Sequence, residues 1–306
     1  MERIVIFGGT GFIGTNLVKE LCSDYEVVVI SRHKRTAQKY FGDYAKVERL
    51  RKSSIDKTVE LVNGSKAIIN LAGENVGARW SESKMDKIRD SRLDVDSIVV
   101  RVIRLSNPKP KVLIQGSAIG IYGYSRTDID ITEDTPFGQR GFLTKLAKTH
   151  EEAVEHVKKD LRLVYIRTGM VLGIDGGALP KLMQQYNSML GGKFGTGNQW
   201  NSWIHIDDQV KAIRYLIEND ECSGPYNLTA PNPVMNKDFS KSLSQAMGKP
   251  NFFSVPSFIL QLFLGSMAKE LLLSGVKVLP QRLTDEGFKF RYNNLDSALE
   301  NLLDNS

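Results

Sequence analysis

The sequence predicts an α/β fold, a doubly wound parallel sheet with a smaller C-terminal lobe of the kind that covers a substrate, and three observations carry that expectation. First, Ile4-Val5-Ile6, the turn Phe7-Gly8-Gly9-Thr10-Gly11-Phe12-Ile13-Gly14, a helix expected over 15–22 and the run Glu26-Val27-Val28-Val29-Ile30 follow one another at the start of the chain. That order is a βαβ unit. Second, short apolar runs recur at Ala67-Ile68-Ile69-Asn70-Leu71, Val112-Leu113-Ile114-Gln115 and Leu163-Val164-Tyr165-Ile166. Continuous runs of this length suit strands covered on both faces. Third, helical texture separates them, notably over 81–105, where Ile88, Leu93, Val95, Val99, Val102 and Ile103 form an imperfect stripe.

Each element has a physical reason. Glycine in the first turn removes Cβ atoms that would hold the backbone away from a phosphate, and the helix after it offers unpaired N–H groups and partial positive charge. Gly8, Thr10, Gly11, Phe12 and Ile13 are therefore expected to cradle a dinucleotide pyrophosphate. Ligands of such sheets bind outside the carboxyl ends of the strands, so this turn, Ser31-Arg32, Leu71-Ala72-Gly73-Glu74 and Gly116-Ser117 should converge on one crevice. After Arg167, glycines at 173, 176, 177, 191, 192, 195 and 197 punctuate short segments. A helix is expected over 207–219, capped by Asp207 or Asp208, with later helices near 237–247 and 258–273. The boundaries that follow are 1–167 with about 203–229 for the nucleotide domain, and about 168–202 with 230–306 for the smaller lobe.

The end of the second strand selects the nucleotide. NAD sites of this fold place an acid there for the ribose hydroxyls, whereas NADP sites lack it and meet the 2′-phosphate with a basic group. Here the strand ends Ile30-Ser31-Arg32, and Asp24 and Glu26 lie at its beginning, about 13–20 Å away. Ser31 can donate to a phosphate and Arg32 can bind it with a planar fork, so NADP(H) is the expected cofactor.

Composition bounds the partners. The 306 residues carry 41 Lys and Arg against 35 Asp and Glu, a formal charge of +6, but only Arg32-His33-Lys34-Arg35 forms a tight basic cluster. No nucleic-acid partner is expected. Cys22 and Cys222 are far apart and lack metal-ligand spacing, which points to no zinc site and to a reducing cytoplasm. The longest apolar stretch, over 258–264, is too short to span a bilayer and reads as a core helix, so no membrane partner is expected. A monomer or homodimer acting on a small molecule fits these bounds.

Together with Ser91-Arg92, Ser117-Ala118-Ile119-Gly120-Ile121-Tyr122-Gly123 and Arg167-Thr168-Gly169-Met170-Val171-Leu172-Gly173, the motifs above resemble an atypical extended short-chain dehydrogenase/reductase. Gly176-Gly177-Ala178-Leu179-Pro180, Gln199-Trp200-Asn201-Ser202-Trp203-Ile204-His205-Ile206-Asp207-Asp208 and Thr229-Ala230-Pro231-Asn232-Pro233-Val234 narrow this to the group named epimerase family protein. The resemblance covers nearly the whole chain and implies a Rossmann sheet with bound NADP(H). It further implies that Leu71 and Ala72 border the adenosine and ribose, that Gly73 and Glu74 continue that wall, and that Arg92 reaches the cofactor side of the crevice. A plain helix-surface role for Arg92 also stands.

The resemblance also exposes a gap. The parent superfamily uses a tyrosine, a lysine four residues later and a Ser or Thr hydroxyl on the substrate oxygen. The Ser/Thr position reads Ala118, and the segment where the tyrosine belongs reads Gly141-Phe142-Leu143-Thr144-Lys145-Leu146-Ala147-Lys148. Lys145 and Lys148 read as solvated helix residues. Candidate replacements are Ser117, one position early, and Tyr122, either a phenol at the crevice mouth or a packing tyrosine. Glu74 reads as a base or a turn cap, His205 as catalytic or structural, and Trp200, Gln199 and Lys181 as substrate contacts or packing.

Overall fold

A computed structural model describes residues 1–50, 55–124 and 129–304 of the chain. Its centre is a seven-stranded sheet made of β1 (Arg3–Phe7), β2 (Glu26–Ser31), β3 (Lys46–Arg49), β4 (Ala67–Asn70), β5 (Val112–Ala118) and the strands Arg162–Thr168 and Gly224–Leu228. In space they run β3, β2, β1, β4, β5, Arg162–Thr168, Gly224–Leu228, all parallel. Strand order reverses at β1, where Phe7 pairs with Ile30 on one side and Asn70 on the other. Gly8, Ser31 and Leu71 therefore leave the sheet side by side. Asn70 pairs in turn with Gln115, which carries Gly116 and Ser117 to the same edge. The expected convergence follows from this register alone.

Five helices cross between the first strands: α1 (Phe12–Leu21), α2 (Lys34–Phe41), α3 (Asp56–Val62), α4 (Glu82–Leu105) and α5 (Phe142–Val154). Side chains alternate across a strand, so each apolar run feeds two faces. Ile4, Ile6, Val27 and Val29 meet Leu17, Val18 and Ile213 on one face, while Val5, Phe7, Val28 and Ile30 belong to a cluster with Val99, Val102 and Ile103 on the other. This is why the strands read as unbroken apolar runs. α4 starts at Ser81, whose Oγ accepts from the Lys84 amide at 3.2 Å.

The first-face cluster continues into Phe239, Leu243, Leu295 and Leu299, so these C-terminal residues pack on the core of the sheet. Three expectations change. The helix expected over 207–219 is Ile206–Glu218, and its cap is neither aspartate: His205 Nδ1 accepts from the Asp207 amide at 3.0 Å. Asp208 is instead buried and accepts from the amides of Arg291 and Tyr292, both at 2.9 Å. The helix expected over 258–273 stops at Leu264, because Gly265 turns the chain with φ +63°, and a short π-helical turn, Ala268–Leu272, follows. The apolar helix Ser257–Leu264 is no core helix, since none of its residues is buried.

Candidate functional site

The glycine turn is built for close approach. Gly8 sits at φ +79°, and a Cβ there would lie 2.6 Å from the Ala72 amide nitrogen and from Leu71 C. A Cβ on Gly14 would meet Gly8 O at 2.5 Å. These two glycines let β1, the loop after β4 and α1 touch. Gly11 differs: it is the N-cap of α1 without a side-chain cap, and the single near atom for a Cβ there is Gly8 O at 3.3 Å. The first-turn amides of α1 have no intrahelical acceptor and face a cavity of about 470 Å³ lined by Thr10, Gly11, Ser31, His33 and Tyr40 among others. Phe12 contributes backbone here, since its ring packs against Gly173, Gly176 and Gly177, where Cβ atoms would come within 2.6 to 3.1 Å of it.

Ser31 is almost fully buried, and its Oγ accepts from the His33 amide at 3.2 Å, leaving its own proton free to donate. Arg32 is exposed beside it. The fold brings two acids near that the strand sequence does not reveal, Asp175 in the cavity lining and Glu48. Glu48 of β3 stands opposite Ile30. It is ion-paired with Lys34 and Lys57 at 3.2 and 3.3 Å and accepts from the Arg49 amide, so its charge is already answered.

The opposite wall is pinned by α4. Ser91 Oγ accepts from the Glu74 amide at 2.9 Å, and Arg92 Nη1 donates to Glu74 O and Ile88 O at 3.2 and 3.0 Å. The guanidinium lies over Gly73, 2.7 Å from where a Cβ would be. Arg92 is thus a brace for the loop, and its removal from solvent pushes its pKa down. Glu74 is ion-paired with Lys84 at 2.6 Å, and that bond holds its carboxyl below the usual range. A depressed carboxylate is a weak base, which argues against the proton-abstracting reading.

The two expected catalytic residues are drawn into a buried network. Ser117 Oγ donates to Glu151 Oε1 at 2.6 Å, and Glu151 takes a two-pronged bond from Arg167 at 3.0 and 2.9 Å. Burial opposes the Arg167 charge, but the Glu151 carboxylate overrides it and raises the pKa above the ordinary arginine range. Arg167 Nη1 also donates to Tyr122 Oη at 2.9 Å, and that hydroxyl donates to Asn227 Oδ1 at 2.7 Å. Tyr122 has 0 % exposure, and burial pushes its phenol up to about 12. The crevice-mouth phenol is therefore corrected to a packing tyrosine: no ligand reaches it, and its proton stays bound at neutral pH.

Below β4 and β5, Asp96 accepts from Asn70 and Gln115 at 2.9 and 3.1 Å and meets His150 Nδ1 at 2.6 Å. Nothing local in the sequence marks Asp96, His150 or Glu151, because each is a helix residue whose partner lies on another element. Phe142, in the segment where the resemblance leads one to expect a tyrosine, packs edge-on to Trp80 with ring centres 5.1 Å apart. The Phe142 and Leu143 amides donate to Glu270, at 2.9 and 3.0 Å, so the C-terminal part caps α5. Lys145 and Lys148 are exposed, as expected.

The remaining candidates are engaged within the fold. His205 is 1 % exposed, caps its helix and stacks on Tyr292 at 3.9 Å, and burial lowers its pKa. Gln199 is spent on Phe194 O and Leu272 O, Lys181 on Gly77 O at 2.9 Å, and Trp200 lies under Lys277 at 5.5 Å. Among the described residues no group of three His, Cys, Asp or Glu is placed to hold a metal, and no helix is long and apolar enough to cross a membrane.

Residues 4–229, which contain the whole crevice, match the model of the NAD dependent epimerase/dehydratase family. The chain belongs to that family. Residues 255–302 of this family member match a domain of unknown function, DUF1731. It is 38 % identical to epimerase family protein YfhF of Bacillus subtilis, with 98 % of each chain covered. Its identity to the chloroplastic SDR39U1 homolog of Arabidopsis thaliana is 36 %, covering 98 % of this chain and 86 % of that one. Among solved structures, human epimerase family protein SDR39U1, crystallised with NADPH, superposes with a TM-score of 0.88 at 29 % identity, covering 99 % of this chain and 100 % of the other.

Proposed function

We propose that this epimerase-family protein binds NADP(H) along the carboxyl edge of its sheet and acts as an oxidoreductase or epimerase on a small molecule, without the usual tyrosine and lysine. One observation carries the reading: the uncapped start of α1 opens onto a cavity that Ser31 also lines, with exposed Arg32 next in the chain, while Glu48 of the neighbouring strand is already paired. The NADPH in the human relative's structure supports it. In this reading the amides of Phe12 and Ile13 hold the pyrophosphate, with Gly8, Thr10 and Gly11 shaping the turn, where the Gly11 amide donates to Gly8 O at 3.0 Å. Ser31 and Arg32 take the 2′-phosphate, Leu71 and Ala72 border the adenosine and ribose, and Arg92 holds Gly73 and Glu74 in place. A nicotinamide dinucleotide supplies hydride chemistry when bound. Ser117 is the hydroxyl left at the crevice, and with its proton committed to Glu151 it can accept a hydrogen bond from a substrate hydroxyl.

A second reading, a nucleotide-binding sensor that reports redox state to a partner, is favoured by the engagement of every candidate proton donor: Tyr122 is buried and Glu74 is ion-paired. The two separate when the protein is given NADPH with a panel of nucleotide sugars, aldehydes and ketones and absorbance at the nicotinamide band is followed. Oxidation by any of them supports the enzyme; tight NADPH binding with no turnover across the panel removes that reading and leaves the sensor. The cofactor choice has its own measurement. Arg32→Ala should weaken NADPH by about 10- to 100-fold, the loss of a charge-assisted bond, and leave NADH nearly unchanged. Equal losses for both nucleotides would overturn the NADP assignment.

A further inference from the structure

We infer that the face formed by residues 189–193 and 252–263 docks on an anionic lipid surface. A helix apolar on every side belongs in a core or against a membrane. Ser257–Leu264 comes close to that, with only Ser257 and Gln261 polar and both on one face, yet Phe258, Leu262 and Phe263 are 71 %, 69 % and 66 % exposed. The apolar surface continues past the helix. The Phe253 amide donates to Gly191 O at 3.2 Å and Phe194 bridges to Val255, which sets exposed Met189 and Leu190 beside exposed Phe252 and Phe253. An area of this kind, gathered on one side, marks a binding surface.

Charge decides what covers it. Between Lys249 and Lys269 the chain carries no ionisable side chain. At the edge of the patch a cavity of about 330 Å³ is lined by Lys193, Lys237, Lys241, Phe252 and Phe253, with Asp238 the one acid in its lining. Protein interfaces favour arginine over lysine, and residues 189–193 and 237–269 carry lysines but no arginine. Aromatic and leucine side chains at the acyl boundary, with lysines reaching up to anionic head groups, fit a membrane surface. The chain's formal charge of +6 has the right sign for it. The expectation of no membrane partner rested on length, and an eight-residue helix lying in the interface has no bilayer to span.

Co-sedimentation of the full chain with vesicles tests this, using phosphatidylcholine alone and phosphatidylcholine with about 30 % phosphatidylglycerol. The anionic vesicles should bind at least about tenfold more tightly, and salt at about 0.5 M should reverse most of that gain. Phe258→Ser/Phe263→Ser should abolish binding. Lys237→Glu/Lys241→Glu should remove the preference for anionic vesicles. All four side chains are exposed, and far-UV circular dichroism confirms that the variants fold. The inference is overturned if the wild type stays in the supernatant with both vesicles or binds both equally. It is also overturned if the wild type ignores vesicles but runs as a dimer that Phe258→Ser/Phe263→Ser splits, because a second copy then covers the face.

Discussion

Arg167→Met should destabilise the fold by about 3–5 kcal/mol, the loss seen when one partner of a buried ion pair is removed. Arg167 is 3 % exposed and meets Glu151 through two bonds, Tyr122 through a third and the Glu133 carbonyl through a fourth at 3.3 Å. Methionine fills much of the volume but leaves the Glu151 carboxylate and the Tyr122 oxygen short of a donor in a dry site. The double variant Arg167→Met/Glu151→Met should cost clearly less than the sum of the two single changes, because it removes both charges together. Urea unfolding of the four proteins without nucleotide measures this. A single-variant loss below about 1 kcal/mol, or strict additivity in the cycle, would show that the pair is not energetically coupled.

Three of the four glycines of the first turn should separate into two behaviours. Gly14→Ala drives a Cβ to 2.5 Å from Gly8 O and 2.7 Å from Gly9 Cα, backbone atoms with no flexible end to yield. Overpacking of that kind costs about 1–3 kcal/mol. Gly8→Ala should cost more, since a left-handed φ adds about 1–2 kcal/mol to a clash with Leu71 and Ala72. Gly11→Ala meets only a 3.3 Å contact at φ −79°, so its stability should stay within about 0.5 kcal/mol of wild type. Its NADPH affinity should nevertheless fall about tenfold or more, because the added methyl occupies the approach to the α1 amides. Thermal unfolding paired with NADPH titration checks both halves. If Gly11→Ala binds NADPH like the wild type, the pyrophosphate does not lie where proposed.

Much of the nucleotide half is legible in the residues because its signals are local. Ile4 to Ile6 and Val27 to Ile30 report strands by composition, Gly8 to Gly14 report a turn by the absence of side chains, and a parallel register then aligns Gly8, Ser31 and Leu71. The smaller lobe is less legible. Its glycines suggested loops, whereas several of them serve one side chain, the Phe12 ring, from across the molecule. Hydropathy at 257–264 says that the helix prefers to leave water; it does not say whether this chain supplies the cover.

The sequence by itself therefore determined five of the seven strands of the sheet and the glycine cradle, since each depends on residues close together in the chain. Only the tertiary structure decided which polar groups are available. Tyr122 is bonded to Asn227 across 105 positions, Ser117 to Glu151 across 34, and the Phe142 amide to Glu270 across 128. Access to a ligand and readiness to release a proton are set by neighbours that displace water and supply charge, and those neighbours exist only once distant segments have packed together.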